Sequence, residues 1–323
     1  MFCRLVYGGE CRTMKKNTLA HKLKKHRSLI PFVIPAVLFA LVFSYLPMVG
    51  ILIAFKDNPN FGRYPVFEAF SRADWTLDNF KILFSDPEIL RYVSNTLIIS
   101  VMKIVILFPL PILLAVMISE LRNQKFSKLV QGLVFLPHFI SWVVIVGIFN
   151  NIFGIYGPVN NLRDVLFGAD PVYFMGEPGW FRWLVVILSG WKEIGYSSIV
   201  YIAAITAIDP ALYEAAKIDG ASKLEQIFNI TIPSIMPTII VMLIIRIGYL
   251  MDAGFEQVYA MINSYTRETG EIIGTYVYRL GLGTGSRDYG LSTAVGLVNG
   301  LISLILIVGA NKLSKKHMGT GIW

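Results

Sequence analysis

The chain has 323 residues, of which 55% are hydrophobic and only 15% charged, with a formal net charge of +8. A soluble domain carries about 25% charged residues, so this composition excludes an ordinary water-soluble enzyme and points to a bilayer. The excess of Lys and Arg is spread beside apolar runs and forms no single basic stripe, which argues against a nucleic-acid partner.

The N-terminal segment, 1–28, is polar and basic, and it holds both cysteines, Cys3 and Cys11. Two thiols without neighbouring His ligands make neither a metal site nor a disulfide framework. Met14 is a candidate natural start. The first apolar run is too long, and begins too far into the chain, for a cleavable signal peptide. A membrane-spanning helix needs about 20 mostly apolar residues. Six stretches meet that length: 29–55, 92–118, 128–149, 180–207, 235–255 and 289–310. The expected architecture is therefore an all-α membrane protein with about six transmembrane helices. Pro109 and Pro111 interrupt the second stretch.

Orientation follows from the basic residues, which concentrate on the cytoplasmic side. Arg4, Arg12, Lys15, Lys16, Lys22, Lys24, Lys25 and Arg27 precede the first stretch. Arg122, Lys125 and Lys128 follow the second, and Lys312, Lys315 and Lys316 follow the sixth. An even number of crossings puts all three groups on one side, so both termini are expected in the cytoplasm. The organisation is then a basic tail (1–28), a transmembrane domain (29–313) and a second basic tail (314–323). The opposite loops, 56–91, 151–179 and 258–288, are rich in Gly, Pro and aromatic residues, with Trp180 and Trp183 placed as interfacial anchors. No gap is long enough for a soluble catalytic domain.

The segment between the fourth and fifth stretches, 209–233, is the informative one. Asp209 is suited to cap a helix and Pro210 to open it. Gly220 is suited to end that helix in the left-handed conformation. Ser222 and Glu225 have capping-box spacing for a second short helix, which Pro233 is expected to stop. This elbow is the one net acidic cytoplasmic segment, with Lys217 and Lys223 against Asp209, Glu214, Asp219 and Glu225. An interfacial helix resting on anionic lipid wants a Lys/Arg-rich face, so the balance favours a protein socket.

Glu214-Ala215-Ala216, then Asp219-Gly220-Ala221, then Ile230 and Pro233 resemble the EAA loop of binding-protein-dependent ABC importer permeases. Further matches to the sugar-importer branch are Tyr45-Leu46-Pro47-Met48, Asn95-Thr96, Leu136-Pro137-His138-Phe139, Gly190-Trp191-Lys192-Glu193 and Gly254-Phe255-Glu256-Gln257. More narrowly, the chain from about residue 20 onward resembles the LplB-like group of polysaccharide-fragment permeases, which includes aldouronate and alginate oligosaccharide systems. The resemblance implies that Glu214, Ala215, Ala216, Asp219, Gly220 and Ala221 couple the permease to an ATPase subunit. It also implies a second homologous permease, two ATPase subunits that bind ATP and Mg, an extracytoplasmic solute-binding protein, and residence in the bacterial cytoplasmic membrane. A phosphate-binding Gly-x-x-x-x-Gly-Lys-[Ser/Thr] loop is absent from the sequence, so no nucleotide site is expected on this chain.

Charged residues inside a span are costly and face a partner or a cavity. Lys103, Lys192, Glu193 and Arg246 fall deep within the predicted stretches. With Trp191, which could stack on a sugar, they are the candidate lining of the translocation cavity; interhelical pairing is the competing structural reading. The excess of cations suggests uronate-containing cargo. His138 reads as a hydrogen-bonded structural residue, and no Ser/His/Asp or His/Cys constellation suggests catalysis. An ion-gradient-driven secondary transporter is the alternative function, and it would need internal inverted repeats.

Overall fold

The computed structural model describes residues 30–283 and 287–323; the basic segment 1–28, including Met14 and both cysteines, lies outside the described residues. Among the described residues the chain is helical throughout, with one isolated antiparallel bridge between Lys56 and Trp75 and no strand. It forms two compact units, one ending at Leu52 and the other spanning Ile53–Trp323.

The first unit is one apolar helical run. Helix α1 (Ile30–Ala40) passes through a π-helical turn, Leu41–Tyr45, into a 3₁₀ stretch that begins at Leu46 and continues to Phe55. The π turn sits there because Pro47 follows. A proline has no N–H and its ring crowds the carbonyl four residues back. The register therefore widens just ahead of it: the Leu46 N–H reaches the Leu41 carbonyl, five residues back.

In the second unit, α2 (Val66–Arg72) and α3 (Asp78–Ser85) lead into α4 (Pro87–Leu107) and α5 (Pro109–Ser119). Phe108 between them keeps helical dihedrals, so the pair makes one 33-residue candidate span. Pro109 and Pro111 thus do not interrupt the second stretch, contrary to expectation, because the helix runs on through Phe108. Helices α6 (Gln124–Phe135) and α7 (Trp142–Ile152) flank a 3₁₀ turn, Leu136–Phe139, and they bend by 99° across it. The third stretch, expected over 128–149, is therefore a broken span. Ile140 is extended, and Ser141 accepts the Val144 N–H to start a fresh helix.

Helix α8 (Pro158–Phe167) precedes the long α9 (Pro178–Thr206), and α10 (Pro210–Ile218) turns 69° away from α9. Helix α11 (Lys223–Gln226), a π turn (Ile227–Thr231) and α12 (Ile232–Gly248) form a continuous 26-residue run. Pro233 accordingly does not stop the second short helix. As at Pro47, the residue before the proline bonds five back, Ile232 N–H to the Ile227 carbonyl, and the helix absorbs the proline. The fifth span begins at 223 and ends at Gly248 instead of Phe255. After it come α13 (Phe255–Met261), α14 (Arg267–Gly270), α15 (Ile273–Leu282) and α16 (Tyr289–Met318), whose helical end takes in the first half of the expected tail 314–323. Among the described residues four helices are long and apolar enough to cross a membrane, and there are up to six crossings if each bent pair counts as one.

Helix α9 is the spine of the second unit. Phe181, Leu184, Val185, Leu188, Lys192, Gly195 and Ser198 are buried along it at three- and four-residue spacing, the periodicity of one helix face. It packs against α4, α5, α6, α12 and α14. Three apolar clusters surround this frame: one around Leu188, Ile145 and Val258, one around Tyr92, Met251 and Tyr276, and one around Val116, Tyr201 and Ile235. The approach of α6 is so close that a Cβ on Gly195 would lie 1.9 Å from the Val134 carbonyl oxygen. Gly296 on α16, by contrast, has no neighbour within 4 Å of an added Cβ. Gly195→Ala is therefore expected to destabilise the folded chain by about 1–3 kcal/mol by forcing the helices apart. Gly296→Ala, with its helix propensity gain, is expected to be neutral or stabilising by about 1 kcal/mol. Thermal unfolding of the two variants in detergent measures the difference.

Candidate functional site

The loop after α9 is built by its own residues. Asp209 accepts the Ala211 N–H at 2.9 Å and caps α10, with Pro210 in the first position. At the other end Gly220 has φ +82°, the Ala221 N–H reaches the Ala216 carbonyl (2.9 Å), and the Gly220 N–H reaches that of Lys217 (3.1 Å). This pair of bonds is the Schellman closure, which wants glycine at the left-handed position. Ser222 and Glu225 exchange bonds in a capping box, Ser222 N–H to Glu225 Oε2 at 2.6 Å and Glu225 N–H to Ser222 Oγ at 3.4 Å. The elbow is tied to the bundle by Tyr213, whose hydroxyl lies 2.9 Å from Thr231 Oγ1, and by an ion pair between Lys223 and Glu120.

Of the six residues expected to couple, Glu214, Ala215, Asp219 and Gly220 are exposed, and Ala216 and Ala221 are half-buried. Large apolar side chains accompany them on the surface: Ile218 is 87% exposed, and Leu212 and Leu224 are exposed as well. The structure thus presents a rigid, doubly capped projection with small residues and scattered apolar ones on its outside.

The five deep residues do not converge on one pocket. Lys103 on α4 donates to the Ala253 carbonyl (2.8 Å) and to Gln257 Oε1 (2.9 Å). Lys192 is buried and donates to the carbonyls of His138 and Ile140, with its ammonium 5.3 Å from the centre of the Trp142 ring. Glu193 Oε2 lies 3.3 Å from His138 Nδ1, while the His138 ring stacks on Tyr196 at 3.7 Å. Trp191 is exposed and meets Phe149 edge-on. Arg246, expected deep within the fifth stretch, lies exposed in the last turn of α12, which ends at Gly248, and among the described residues its one side-chain partner is Ser197 Oγ, to which it donates at 3.1 Å.

Two polar centres were not singled out from the sequence. Gln257 is fully buried; its Oε1 accepts from Lys103 and from Ser189 Oγ (2.6 Å), and its Nε2 donates to the Val185 carbonyl (2.7 Å). It thereby joins α4, α9 and α13. Glu271, 2% exposed, pairs with Arg267 (3.0 Å) and Arg279 (2.9 Å), and beside it Asn95 donates to the Glu268 and Glu271 carbonyls. Arg182 links this second centre to α9 through Asn95 Oδ1 and the Thr269 carbonyl. Both Asn95 and Gln257 lie in segments quoted above for their resemblance to sugar permeases, which was the available signal.

A family model described as the binding-protein-dependent transport system inner membrane component matches residues 107–316. The chain is 41% identical over 310 residues to the polygalacturonan/rhamnogalacturonan transport system permease protein YteP of Bacillus subtilis, covering 96% of this chain and 94% of that one. It is 39% identical over 303 residues to Protein LplB of the same organism, covering 93% and 92%. A solved bacterial alginate ABC transporter, in complex with an alginate pentasaccharide-bound periplasmic protein, contains a chain that superposes with a TM-score of 0.84 at 38% identity, over 94% of this chain and 99% of that one. The chain therefore belongs to the family of inner membrane permease components of binding-protein-dependent transport systems.

Removing the Lys192 ammonium leaves the two carbonyls at the third-span break without donors inside the bundle. Lys192→Met is expected to destabilise the permease by about 1–3 kcal/mol. Detergent-phase thermal unfolding reads this directly, and uptake of acidic and neutral oligosaccharides should fall in parallel.

Proposed function

We propose that this chain is one permease half of an ATP-driven importer, that its loop 209–222 docks on an ATPase subunit, and that its cargo is an oligosaccharide containing uronate. The observation that carries the docking role is the exposed, doubly capped elbow of α10, held at a fixed angle by Gly220 and continuous through the π turn with α12. A lipid-resting helix would want a basic face, and Glu214 and Asp219 are exposed here instead. On this reading the complete importer contains a second, homologous permease and two ATPase subunits that hold ATP and Mg, with a solute-binding protein delivering cargo from outside. The concentration of Lys and Arg before the first span, after the second and after the sixth supports cytoplasmic termini.

Acidic cargo is supported by the relatives and by one residue. One relative is named for polygalacturonan and rhamnogalacturonan, and a second solved transporter, superposing with a TM-score of 0.83, is described as importing the acidic polysaccharide alginate. Within this chain, Lys103 and Lys192 spend their ammonium groups on the chain's own acceptors. Arg246, exposed in the last turn of α12 with Ser197 Oγ as its one partner among the described residues, retains unused donors for a carboxylate.

Two experiments test the two parts. No atom lies within 4 Å of a Cβ at Gly220, so Gly220→Val acts on the backbone corner alone. It should cost roughly 1 kcal/mol or more in that corner. Together with Glu214→Lys, it should abolish stimulation of ATP hydrolysis by the loaded binding protein while the four-subunit core still assembles; full transport by either variant overturns the docking role. For the cargo, Arg246→Gln should lower uptake of an acidic oligomer about tenfold relative to a neutral one of equal length, the loss of one charge-assisted bond. An equal fall in both refutes the assignment.

A further inference from the structure

Behind the elbow lies a groove of about 700 Å³. One wall is the α5–α6 connection, the other the end of α9 and the inner side of α10. Its lining carries four cations, Arg122, Lys128, Lys217 and Lys223, and one anion, Glu120. Glu120 is already paired with Lys223. The side chains of Arg122, Lys128 and Lys217 make no ion pair or hydrogen bond among the described residues, although they come from opposite walls. Three uncompensated cations around one groove repel one another and attract an anion.

A second observation is independent of charge. Gln226 also lines the groove and is only 3% exposed. Its Nε2 donates to the Ala221 carbonyl at 2.9 Å, while its Oε1 is buried without any hydrogen-bond partner. A buried acceptor left unmade is costly, and it calls for a donor that the chain does not supply. The remaining lining includes the apolar side chains of Ile118, Ile202, Ile205 and Ile208.

We infer that this groove binds a phosphate ester that carries hydroxyl donors: the head of an anionic phospholipid such as phosphatidylglycerol, or a soluble glycerol or sugar phosphate. The several acceptor oxygens of a phosphate match cations arriving from two walls better than the two oxygens of a carboxylate do. A hydroxyl on the ester supplies the donor that Gln226 Oε1 lacks. The isoleucines accept the carbon skeleton. The occupant braces α10 from behind, against the α5–α6 connection, while the exposed outside of α10 stays free for a protein partner.

The test uses the complete importer in nanodiscs. Binding of phosphatidylglycerol is measured by native mass spectrometry across a titration of that lipid in phosphatidylcholine. Binding of glycerol phosphate is measured by calorimetry in phosphatidylcholine alone, so the two arms separate lipid from soluble ligand. The triple variant Arg122→Gln, Lys128→Gln, Lys217→Gln should weaken the bound species on the order of a hundredfold, each cation near an anionic group contributing roughly a factor of five. Gln226→Leu should weaken it about fivefold and erase preference for phosphatidylglycerol over phosphatidylmethanol, which has no free hydroxyl. The control triple Lys312→Gln, Lys315→Gln, Lys316→Gln removes the same charge from the end of α16 and should change neither. Binding in neither arm overturns the inference. So does an equal loss in the control, or a cross-link showing that an ATPase side chain fills the groove.

Discussion

Hydrocarbon offers no partner to a backbone N–H or C=O, so any break in a spanning helix has to be answered from within the protein. This constraint organises the second unit of the chain. The third span breaks at 136–141, and Lys192 reaches across from α9 to the carbonyls of His138 and Ile140. The chain leaves α12 at Gly248 and turns through Ala253 and Gly254, both at positive φ, and Lys103 donates to the Ala253 carbonyl at that corner. Beyond the end of the fifth span, the carbonyls of Glu268, Thr269 and Glu271 around α14 are met in the same way by Asn95 and Arg182. In each case a long polar side chain on a regular helix holds an irregular segment on a neighbour.

The same constraint changes what the deep charges mean. A lysine in mid-span reads as a cavity residue when its surroundings are unknown. With its surroundings known, Lys192 donates to two backbone carbonyls beside Trp142, and Lys103 is one member of a hydrogen-bonded network that also contains Gln257 and Ser189. Gln257 is the more economical device: one neutral amide uses its acceptor twice and its donor once to connect three helices, and it carries no charge to be neutralised. Arg246 differs from both lysines because its guanidinium stays exposed, and that difference, rather than the count of cations, is what recommends it as a contact for cargo.

The proposed docking elbow has two mechanical properties that follow from its construction. It is stiff within itself, since Asp209, Gly220 and the Ser222–Glu225 box satisfy the exposed helix ends. It is also joined without a hinge to α12, because the π turn lets the helix run past Pro233. Helix α12 packs against α9 and α16. The elbow is therefore continuous with a helix that meets the spine of the bundle.

How much of this was legible beforehand depends on whether the information was local. Apolar runs, capping residues and turn glycines act within a few residues of themselves, so the all-helical class, the approximate crossings, the Asp209 and Ser222 caps and the conformation of Gly220 could be read directly. The broken third span and the uninterrupted helix at Pro233 could not. The turn before a proline can widen to i→i−5, as before Pro47 and Pro233, or the chain can start a new helix, as after Pro137, and the local residues alone do not distinguish the two. Partners distant in sequence were likewise invisible: Lys192 with His138, Lys103 with Gln257, and Arg182 with Asn95 lie 54, 154 and 87 residues apart. The sequence by itself determined which segments enter the membrane and where the elbow is capped, because those are properties of short stretches in a given solvent. Only the tertiary structure decided which charged side chains are buried against backbone carbonyls and which one stays exposed, because that depends on which helices α9 brings within hydrogen-bond distance.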